Sequence, residues 1–253
     1  MTYDKLTVAL LSMLSAEDRD STNAEIARYL LSHVDEAGAL SIKELAAAAH
    51  VGTGTISRFA REAGFASFAE LREALDGFTK QFAPISGATP ESRASELAQR
   101  VSQSIRQATD GVDRTALQRL AHDLHAYERA SAYGLLKGQA AALDLQVDLL
   151  MQGKWIDTCT ALADQMEHIA RAGKDELVIV FSYTGAYFEY GDLGAALRRL
   201  DRPRIWMVCG ARRPQPDYVS DLLSFSSDLS RLGHPYQLEA VAGLIAQEYA
   251  AQA

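Results

Sequence analysis

The segment at residues 41–68, SIKELAAAAHVGTGTISRFAREAGFASF, constrains the fold of this chain more than any other. Its first half predicts a short helix with Ser41 as N-cap, and Glu44, three residues later, closes a capping box. The helical pattern breaks at His-Val-Gly, where Gly52 supplies the backbone freedom that a sharp turn needs. The segment therefore predicts two short helices joined by a tight turn.

The second helix of this segment starts at Thr53 or Thr55 and carries its apolar side chains on one face. The opposite face carries hydroxyl groups and guanidinium groups, a pattern typical of a helix-turn-helix whose second helix enters the DNA major groove. An ordinary helical hairpin with a solvated polar face fits the same spacing. If the segment binds DNA, the residues expected to contact it are Lys43, Thr53, Thr55, Ser57, Arg58 and Arg61.

The same residues resemble the N-terminal domain of RpiR-type (MurR/RpiR) bacterial transcription regulators. That family combines a SIRELA-like helix with the motifs V-S-x-x-T-[IV]-x-R-F and G-F-x-[GS]-F. Gly52 stands where the family usually has a helix-capping serine, a loss that costs only a few tenths of a kcal/mol. The resemblance covers residues 1–80 and implies double-stranded DNA as a partner. The residues that fall on the family pattern are Thr55, Ile56, Arg58, Phe59, Gly64, Phe65, Phe68 and Leu71.

Net charge opposes strong DNA binding by one copy of this domain. The whole chain carries a net charge of −8, and residues 1–80 hold eight Lys and Arg against twelve Asp and Glu, a net of −4. Since phosphate neutralisation supplies most non-specific affinity, Lys43, Arg58 and Arg61 must gather on one face with the carboxylates turned away. We expect weak, salt-sensitive binding per monomer, strengthened by dimerisation onto a two-fold site. A protein–protein adaptor that docks through the hairpin remains an alternative.

Composition indicates a cytoplasmic protein without a membrane partner. No apolar run approaches the roughly twenty residues that span a bilayer, and the N-terminus lacks a basic region and a cleavage site. Cys159 and Cys209 are too few for a disulfide framework, and no cluster of Cys and His has metal-binding spacing. We therefore expect a reduced protein with no metal and no cofactor.

Helical spacing and a change of composition predict the domain organisation. Further helices over residues 4–15, 23–34 and 68–78 make the N-terminal part an all-α head of five helices. The segment KQFAPISGATP at residues 80–90 contains two prolines and a glycine, a composition that predicts a linker. The expected parts are a helix-turn-helix domain at 1–80, a linker and connecting helix at 81–109, and an effector and dimerisation domain at 110–253.

Strand-like and helical segments alternate from Tyr127 onward. Two continuous apolar runs, ELVIVF at 176–181 and RIWMVC at 204–209, predict buried parallel strands. Such alternation predicts a doubly wound α/β sheet, in which small ligands bind beyond the carboxyl ends of the strands. Shorter strands are expected at 129–133, 154–156 and 221–225, and helices at 138–150, 160–172, 193–200 and 237–249.

The loop after the first of those runs, Ser-Tyr-Thr-Gly at 182–185, offers hydroxyl and backbone N–H groups to an anion. It resembles the S-x-[ST]-G-x-[TS] phosphate loop of sugar isomerase (SIS) domains, the effector module of RpiR-type regulators. Tyr187 takes the later hydroxyl position, and Glu189 stands where the family often has an acid. The resemblance implies a phosphorylated sugar as effector. The residues expected to bind it are Gly134, Lys137, Ser182, Tyr183, Thr184, Gly185, Tyr187 and Glu189.

The loop after the first strand departs from the SIS pattern. SIS domains usually read G-x-G-x-S there, whereas this chain has Leu136 in place of the second glycine and Gly138 in place of the serine. Lys137 either replaces the lost hydroxyl as a point charge or is an ordinary solvated lysine. Two alternatives follow: a working sugar-phosphate pocket, or a SIS-like fold kept only for dimerisation.

An enzyme of the sugar-phosphate isomerase type is the alternative function. It requires a general base over the sugar, and Glu189 and His234 are the candidates near the predicted pocket. Catalysis does not explain a helix-turn-helix head, so we expect no enzyme but a regulator, assembled as a homodimer or tetramer.

Overall fold

The computed structural model describes residues 5–16, 20–78, 85–87, 89–191, 193–210, 213–230 and 232–252. The chain divides into two compact units, the first within residues 2–82 and the second within 83–160 and 164–253. The predicted domain boundary at residues 80 and 81 lies outside the described residues, so the division at 1–80 and 81–109 stays a prediction. Across the described ranges, every helix is too short or too polar to cross a membrane.

The described part of the first unit is all-α, with one short helix, α3, more than the pattern predicts. Its core takes a fully buried side chain from each of the five longer helices, namely Leu10, Ile26, Leu45, Phe59 and Leu71. The helices are α1 Lys5–Ala16, α2 Thr22–Ser32, α3 Val34–Ala37, α4 Ile42–Ala48, α5 Thr53–Glu62 and α6 Phe68–Asp76.

The predicted cap of α4 is present, but the turn after this helix is built differently from the prediction. The Ser41 hydroxyl accepts from the Glu44 N–H at 3.3 Å, and the Ser41 N–H donates to the Glu44 carboxylate at 2.8 Å. The residue with the left-handed backbone is His50, at φ 54°, whereas Gly52 is extended at φ −81°. The Val51 N–H then bonds the carbonyl of Ala46 at 2.9 Å, which closes a Schellman turn. The role predicted for Gly52 in the turn is therefore wrong.

The second unit contains the predicted alternation of strands and helices. The predicted helix at 193–200 is reduced to a 3₁₀ turn at Ala196–Arg198. The elements are α7 Pro90–Asp110, α8 Arg114–Ala126, β1 Arg129–Gly134, α9 Lys137–Leu150, α10 Leu162–Arg171, β2 Glu176–Phe181, β3 Arg204–Cys209, β4 Asp221–Ser224 and α11 His234–Ala251.

The four strands are parallel and lie in the order β1-β2-β3-β4. Gly134 pairs with Phe181 at the ends of β1 and β2, so their carboxyl ends meet at one edge. The predicted strand at 154–156 is wrong: only a single parallel bridge joins Asp157 to Ser131, on the free side of β1. The chain thus moves outward from β1 before it returns to β2. This reversal makes the sheet doubly wound and places its switch point between β1 and β2.

Helices and turns cover both faces of the sheet. Helices α7, α8, α9 and α11 pack on one face, while α10 and the segments after β2 and β3 pack on the other. Because both faces are covered, β2 and β3 are buried except at their first residues, which explains their unbroken apolar sequences. A polar contact fixes α8, since Trp206 Nε1 donates to the Asp123 carboxylate at 2.7 Å.

Candidate functional site

The outward face of α5 carries the predicted DNA-contacting side chains. Ile56, Phe59 and Ala60 are buried in the core of the first unit. Thr53, Arg58 and Arg61 are exposed, Thr55 and Ser57 are half-buried, and Lys43 is exposed on α4. The helix therefore separates an apolar inner face from a polar outer face, as its spacing predicts.

Among the residues that the structure describes, the arginines of α5 make only weak contacts. Arg58 Nε lies 3.7 Å from Glu62 Oε1, and 64% of the Arg58 side chain is exposed. An exposed ion pair of this kind is worth about 0–1 kcal/mol, so Glu62 holds Arg58 loosely. Arg61 Nε donates to the carbonyl of Ser57 at 3.2 Å. Both guanidinium groups keep most of their donors for an external partner.

The N-terminus of α5 has no side-chain cap. Gly52 occupies the N-cap position, and a Cβ atom there would meet no atom within 4 Å. The Thr55 N–H donates to the carbonyl of Gly52 at 3.0 Å, and no side chain caps the N–H groups of Thr53 and Gly54. An uncapped helix start of this kind attracts a phosphate group, because its N–H groups and dipole favour negative charge.

The loop after β2, residues 182–185, lies against the carboxyl end of β3. The Ser182 N–H donates to the carbonyl of Val208 at 3.0 Å, and the Gly210 N–H donates to the carbonyl of Tyr183 at 3.1 Å. Gly185 has φ 72°, a backbone region that favours glycine, and its carbonyl accepts from Gln215 Nε2 at 3.1 Å. These contacts hold the loop against the end of β3.

Two tyrosines anchor this loop in opposite cores. Tyr183 packs with the cluster on the α9 and α11 side, and Tyr187 packs with the cluster on the α10 side. The Tyr187 hydroxyl donates to Gln165 Oε1 at 2.7 Å, and burial raises the pKa of Tyr187 well above its ordinary value. Ser182 and Thr184 flank Tyr183, and within the described part of the chain their hydroxyls have no hydrogen-bond partner. The loop thus uses its phenols internally and leaves two hydroxyls for a ligand.

Three ionisable side chains near this loop, those of Lys137, His234 and Glu189, differ in their exposure to solvent and in their partners. Lys137 is exposed at the start of α9, and His234 is buried with its ring stacked on Tyr183, the ring centroids 4.2 Å apart. Burial, aided by the charge of Lys137, lowers the pKa of His234 to about 4, so its imidazole is neutral at pH 7. Glu189 is exposed and forms an ion pair with Arg213. Arg213 is therefore a cation in contact with the loop, since its side chain would lie 3.1 Å from a Cβ atom on Gly185, while Lys137 acts on His234.

The backbone after β1 explains one of the two departures from the G-x-G-x-S pattern, the glycine at position 138. Leu136 has φ 53°, so it keeps a conformation that favours glycine although it is a leucine. A Cβ atom on Gly138 would lie 2.6 Å from the carbonyl oxygen of Phe181, so a serine does not fit in this backbone. Gly134 lies equally close to the first turn of α9, because a Cβ atom on it would be 2.4 Å from the carbonyl carbon of Gly138. The start of α9 is seated directly on the end of β2.

Two buried glutamines contact the loop, and no sequence pattern indicates them. Gln165 on α10 donates to the carbonyl of Gly134 at 2.9 Å and accepts from Tyr187. Gln237 on α11 accepts from Tyr183 at 2.8 Å. Glutamine is usually a surface residue, so only the three-dimensional contacts show that these two support the loop from the protein interior.

The sequence of the first unit matches a known domain. The helix-turn-helix domain of the rpiR family matches residues 9–81. An uncharacterised HTH-type transcriptional regulator of Providencia stuartii is 23% identical over 192 residues, which cover 73% of this chain and 67% of the relative.

Two solved structures share the fold. The Vibrio vulnificus NanR protein complexed with ManNAc-6P aligns with 98% of this chain and 92% of its own, at a TM-score of 0.56 and 16% identity. A candidate sugar-phosphate isomerase of Listeria monocytogenes aligns with 66% of this chain and 93% of its own, at a TM-score of 0.50 and 13% identity. These findings confirm the resemblance seen in the sequence: residues 9–81 are a helix-turn-helix domain of the rpiR family, and the unit that follows has a SIS-like fold.

Proposed function

We propose that this chain is a DNA-binding transcriptional regulator whose SIS-like unit dimerises and binds a phosphorylated sugar. The observation that carries the proposal is the rpiR-family helix-turn-helix, whose second helix exposes Arg58 and Arg61 beside an uncapped N-terminus. The residues assigned to DNA are Lys43, Thr53, Thr55, Ser57, Arg58 and Arg61. The effector acts by binding differently to the two states of the protein that differ in DNA affinity.

The effector site is assigned to the switch point between β1 and β2. The hydroxyls of Ser182 and Thr184, which have no hydrogen-bond partner among the described residues, lie there, and Lys137 supplies a positive charge. A phosphate group needs donors of this kind, and a ligand at the switch point is usual for such sheets. The NanR structure of the same fold holds ManNAc-6P, which supports a phosphorylated sugar as the ligand class.

A thermal-shift measurement tests the effector site. We expect ManNAc-6P or another hexose phosphate, at millimolar concentration, to raise the melting temperature, because a ligand that binds the native state stabilises it by mass action. In Ser182→Ala and Thr184→Val, each hydrogen bond to the phosphate is lost, which should weaken binding by about tenfold to 100-fold.

The unphosphorylated sugars serve as controls and should give no shift. A Lys174→Ala variant, which removes an exposed lysine outside the assigned site, should bind like the wild type. If no sugar phosphate shifts the wild-type melting temperature, the SIS-like unit is a dimerisation scaffold and the effector half of the proposal fails.

The dimer surface is assigned to the outer side of α9. Its apolar side chains recur at helical spacing and are exposed, up to 83% for Met151. A stripe of this kind, left open to water, is typical of a protein–protein interface. A second copy of this chain fits it, since a palindromic DNA site requires paired heads. The stripe consists of Leu143, Val147 and Leu150 in the helix and of Met151 and Trp155 just after it.

A charge placed in the stripe should separate the protomers. We expect the wild type to have twice the 27.5 kDa mass of one chain, and Val147→Asp to have the mass of one chain by light scattering. Leu200→Asp is the matched control, because Leu200 is fully exposed and lies outside the stripe. A wild type that stays monomeric at micromolar concentration would contradict the assignment.

Contacts at the loop disfavour the isomerase alternative. Glu189 is bound to Arg213, and the His234 ring is buried against Tyr183. Neither candidate base is therefore free above the Ser182 and Thr184 hydroxyls, which favours a sensor over an enzyme.

A further inference from the structure

Gln237 lies between the loop after β2 and helix α7. Its Oε1 accepts from the hydroxyls of Tyr183 at 2.8 Å and Ser227 at 2.6 Å. Its Nε2 donates to the main-chain carbonyl of Ser104, in α7, at 2.9 Å. One side chain thus joins the loop assigned to the effector and the helix by which the chain enters the second unit.

The chemistry of this position selects an amide. Gln237 is fully buried, and a buried polar group is costly unless it is hydrogen-bonded. An amide accepts hydroxyl protons at one end while it donates to a carbonyl at the other. A carboxylate has no donor for the carbonyl of Ser104. An aliphatic side chain can neither accept from the hydroxyls nor donate to the carbonyl.

Helix α7 packs against α11, and Gln237 supplies a hydrogen bond between the two helices. Ser104 and Ala108 are the residues of α7 that are buried. Beside this point the helix approaches Gly233 so closely that a Cβ atom there would lie 2.1 Å from Ser104 Oγ. A change of Gln237 therefore acts beside a close contact between α7 and the start of α11.

Tyr183 brings the effector loop into the same network. It stands between Ser182 and Thr184, whose hydroxyls are assigned to the phosphate. Its ring stacks on His234, in the first turn of α11, one turn before Gln237. A ligand that moves the loop by the length of a hydrogen bond changes the Tyr183–Gln237 contact at once.

We propose that Gln237 is the positioning residue that couples occupancy of the strand-end loop to the seating of α7, and so to DNA binding. The part that concerns DNA rests on the proposed function. The part that concerns the loop and α7 rests only on the contacts within the second unit, and it is tested without a ligand.

Hydrogen exchange of the full-length protein tests the coupling directly. In Tyr183→Phe, which removes only a hydroxyl and touches no residue of α7 by hydrogen bond, we expect amide exchange at residues 101–108 to accelerate at least threefold. In Gln237→Met the same amides should already exchange faster, and adding Tyr183→Phe should change them no further. This loss of additivity is the signature of one relay.

Tyr187→Phe is the matched control. Tyr187 is a second buried tyrosine of the same loop, but its hydroxyl is bonded to Gln165 on α10. We expect this variant to leave exchange in α7 unchanged and to accelerate exchange in α10. If Tyr183→Phe leaves α7 as protected as in the wild type, or if Tyr187→Phe loosens α7 equally, the coupling through Gln237 is refuted.

DNA binding with ManNAc-6P as the probe tests the consequence for regulation. Gln237→Met should keep its thermal shift with the probe, because Ser182, Thr184 and Lys137, the groups assigned to the phosphate, are all retained. The probe should change wild-type DNA affinity at least fivefold and that of the variant less than twofold. An unaltered response in the variant would overturn the regulatory role. If neither ManNAc-6P nor another hexose phosphate binds the wild type, the effector half of the proposed function fails, and hydrogen exchange alone decides the coupling.

Discussion

Replacing Arg58 with alanine is expected to weaken binding to the DNA upstream of this protein's own gene on the order of 100-fold. An arginine that reads a base contributes about 1–3 kcal/mol per contact, and a dimer on a two-fold site loses the contact twice. The head should keep its stability, because the ion pair of Arg58 with Glu62 is exposed. Electrophoretic mobility shifts at several salt concentrations measure the effect.

The salt dependence separates two roles for Arg58. Loss of a base contact weakens the specific site more than unrelated DNA, whereas loss of a phosphate contact weakens both and lowers the salt slope by about one per contact. Arg28→Ala, on the exposed side of α2, is the control and should bind almost as the wild type does. Equal DNA affinity of wild type, Arg58→Ala and Arg61→Ala would refute the contact assignment.

Glu62→Gln is the reciprocal variant. Glu62 pairs with Arg58 and also accepts a hydrogen bond from Asn23 at 2.8 Å. Glutamine keeps an acceptor for Asn23 but removes the negative charge near the phosphates, so DNA binding should tighten several-fold. Weaker binding by this variant would mean that Glu62 positions Arg58 instead of competing with DNA for it.

Local sequence signals predicted the head well because they act over a few residues. The Ser41 and Glu44 cap and the inward spacing of Ile56 and Phe59 each depend on neighbours within one or two helical turns. The left-handed residue His50 escaped prediction, because glycine is the usual residue there and Gly52 stood nearby.

The sheet was predictable where burial on both faces leaves a continuous apolar sequence, as in β2 and β3. The structure of the edge segment ending at Asp157 could not be predicted. Its sequence is compatible with a strand, but in the structure the segment pairs with β1 through a single bridge. The hydrogen bonds of Gln237 could not be predicted from the sequence for a different reason. The Gln237–Ser104 bond joins residues 133 positions apart, and no periodicity reports such a contact.

Gly134→Ala should produce the largest loss of stability among the substitutions considered. The added Cβ atom would lie 2.4 Å from the carbonyl carbon of Gly138 and 2.8 Å from the main-chain nitrogen of Gln139. These are backbone atoms in the first turn of α9, so relief requires the helix to move off the sheet. We expect roughly 3 kcal/mol of destabilisation, at the upper end of the range for overpacking. Both tryptophans lie in the second unit, so their fluorescence during denaturant unfolding reports that unit alone.

Gly243→Ala is the matched control for this substitution. Gly243 lies inside α11, and a Cβ atom there meets no atom within 4 Å, so alanine should stabilise the unit by roughly 0.5–1 kcal/mol. The two variants distinguish two roles for Gly134. If its purpose were only to let a ligand approach the backbone, Gly134→Ala would lose sugar-phosphate affinity and keep its unfolding midpoint. A large shift of the midpoint without any ligand instead means that the glycine serves the packing of α9 against β1 and β2, which is the expected result.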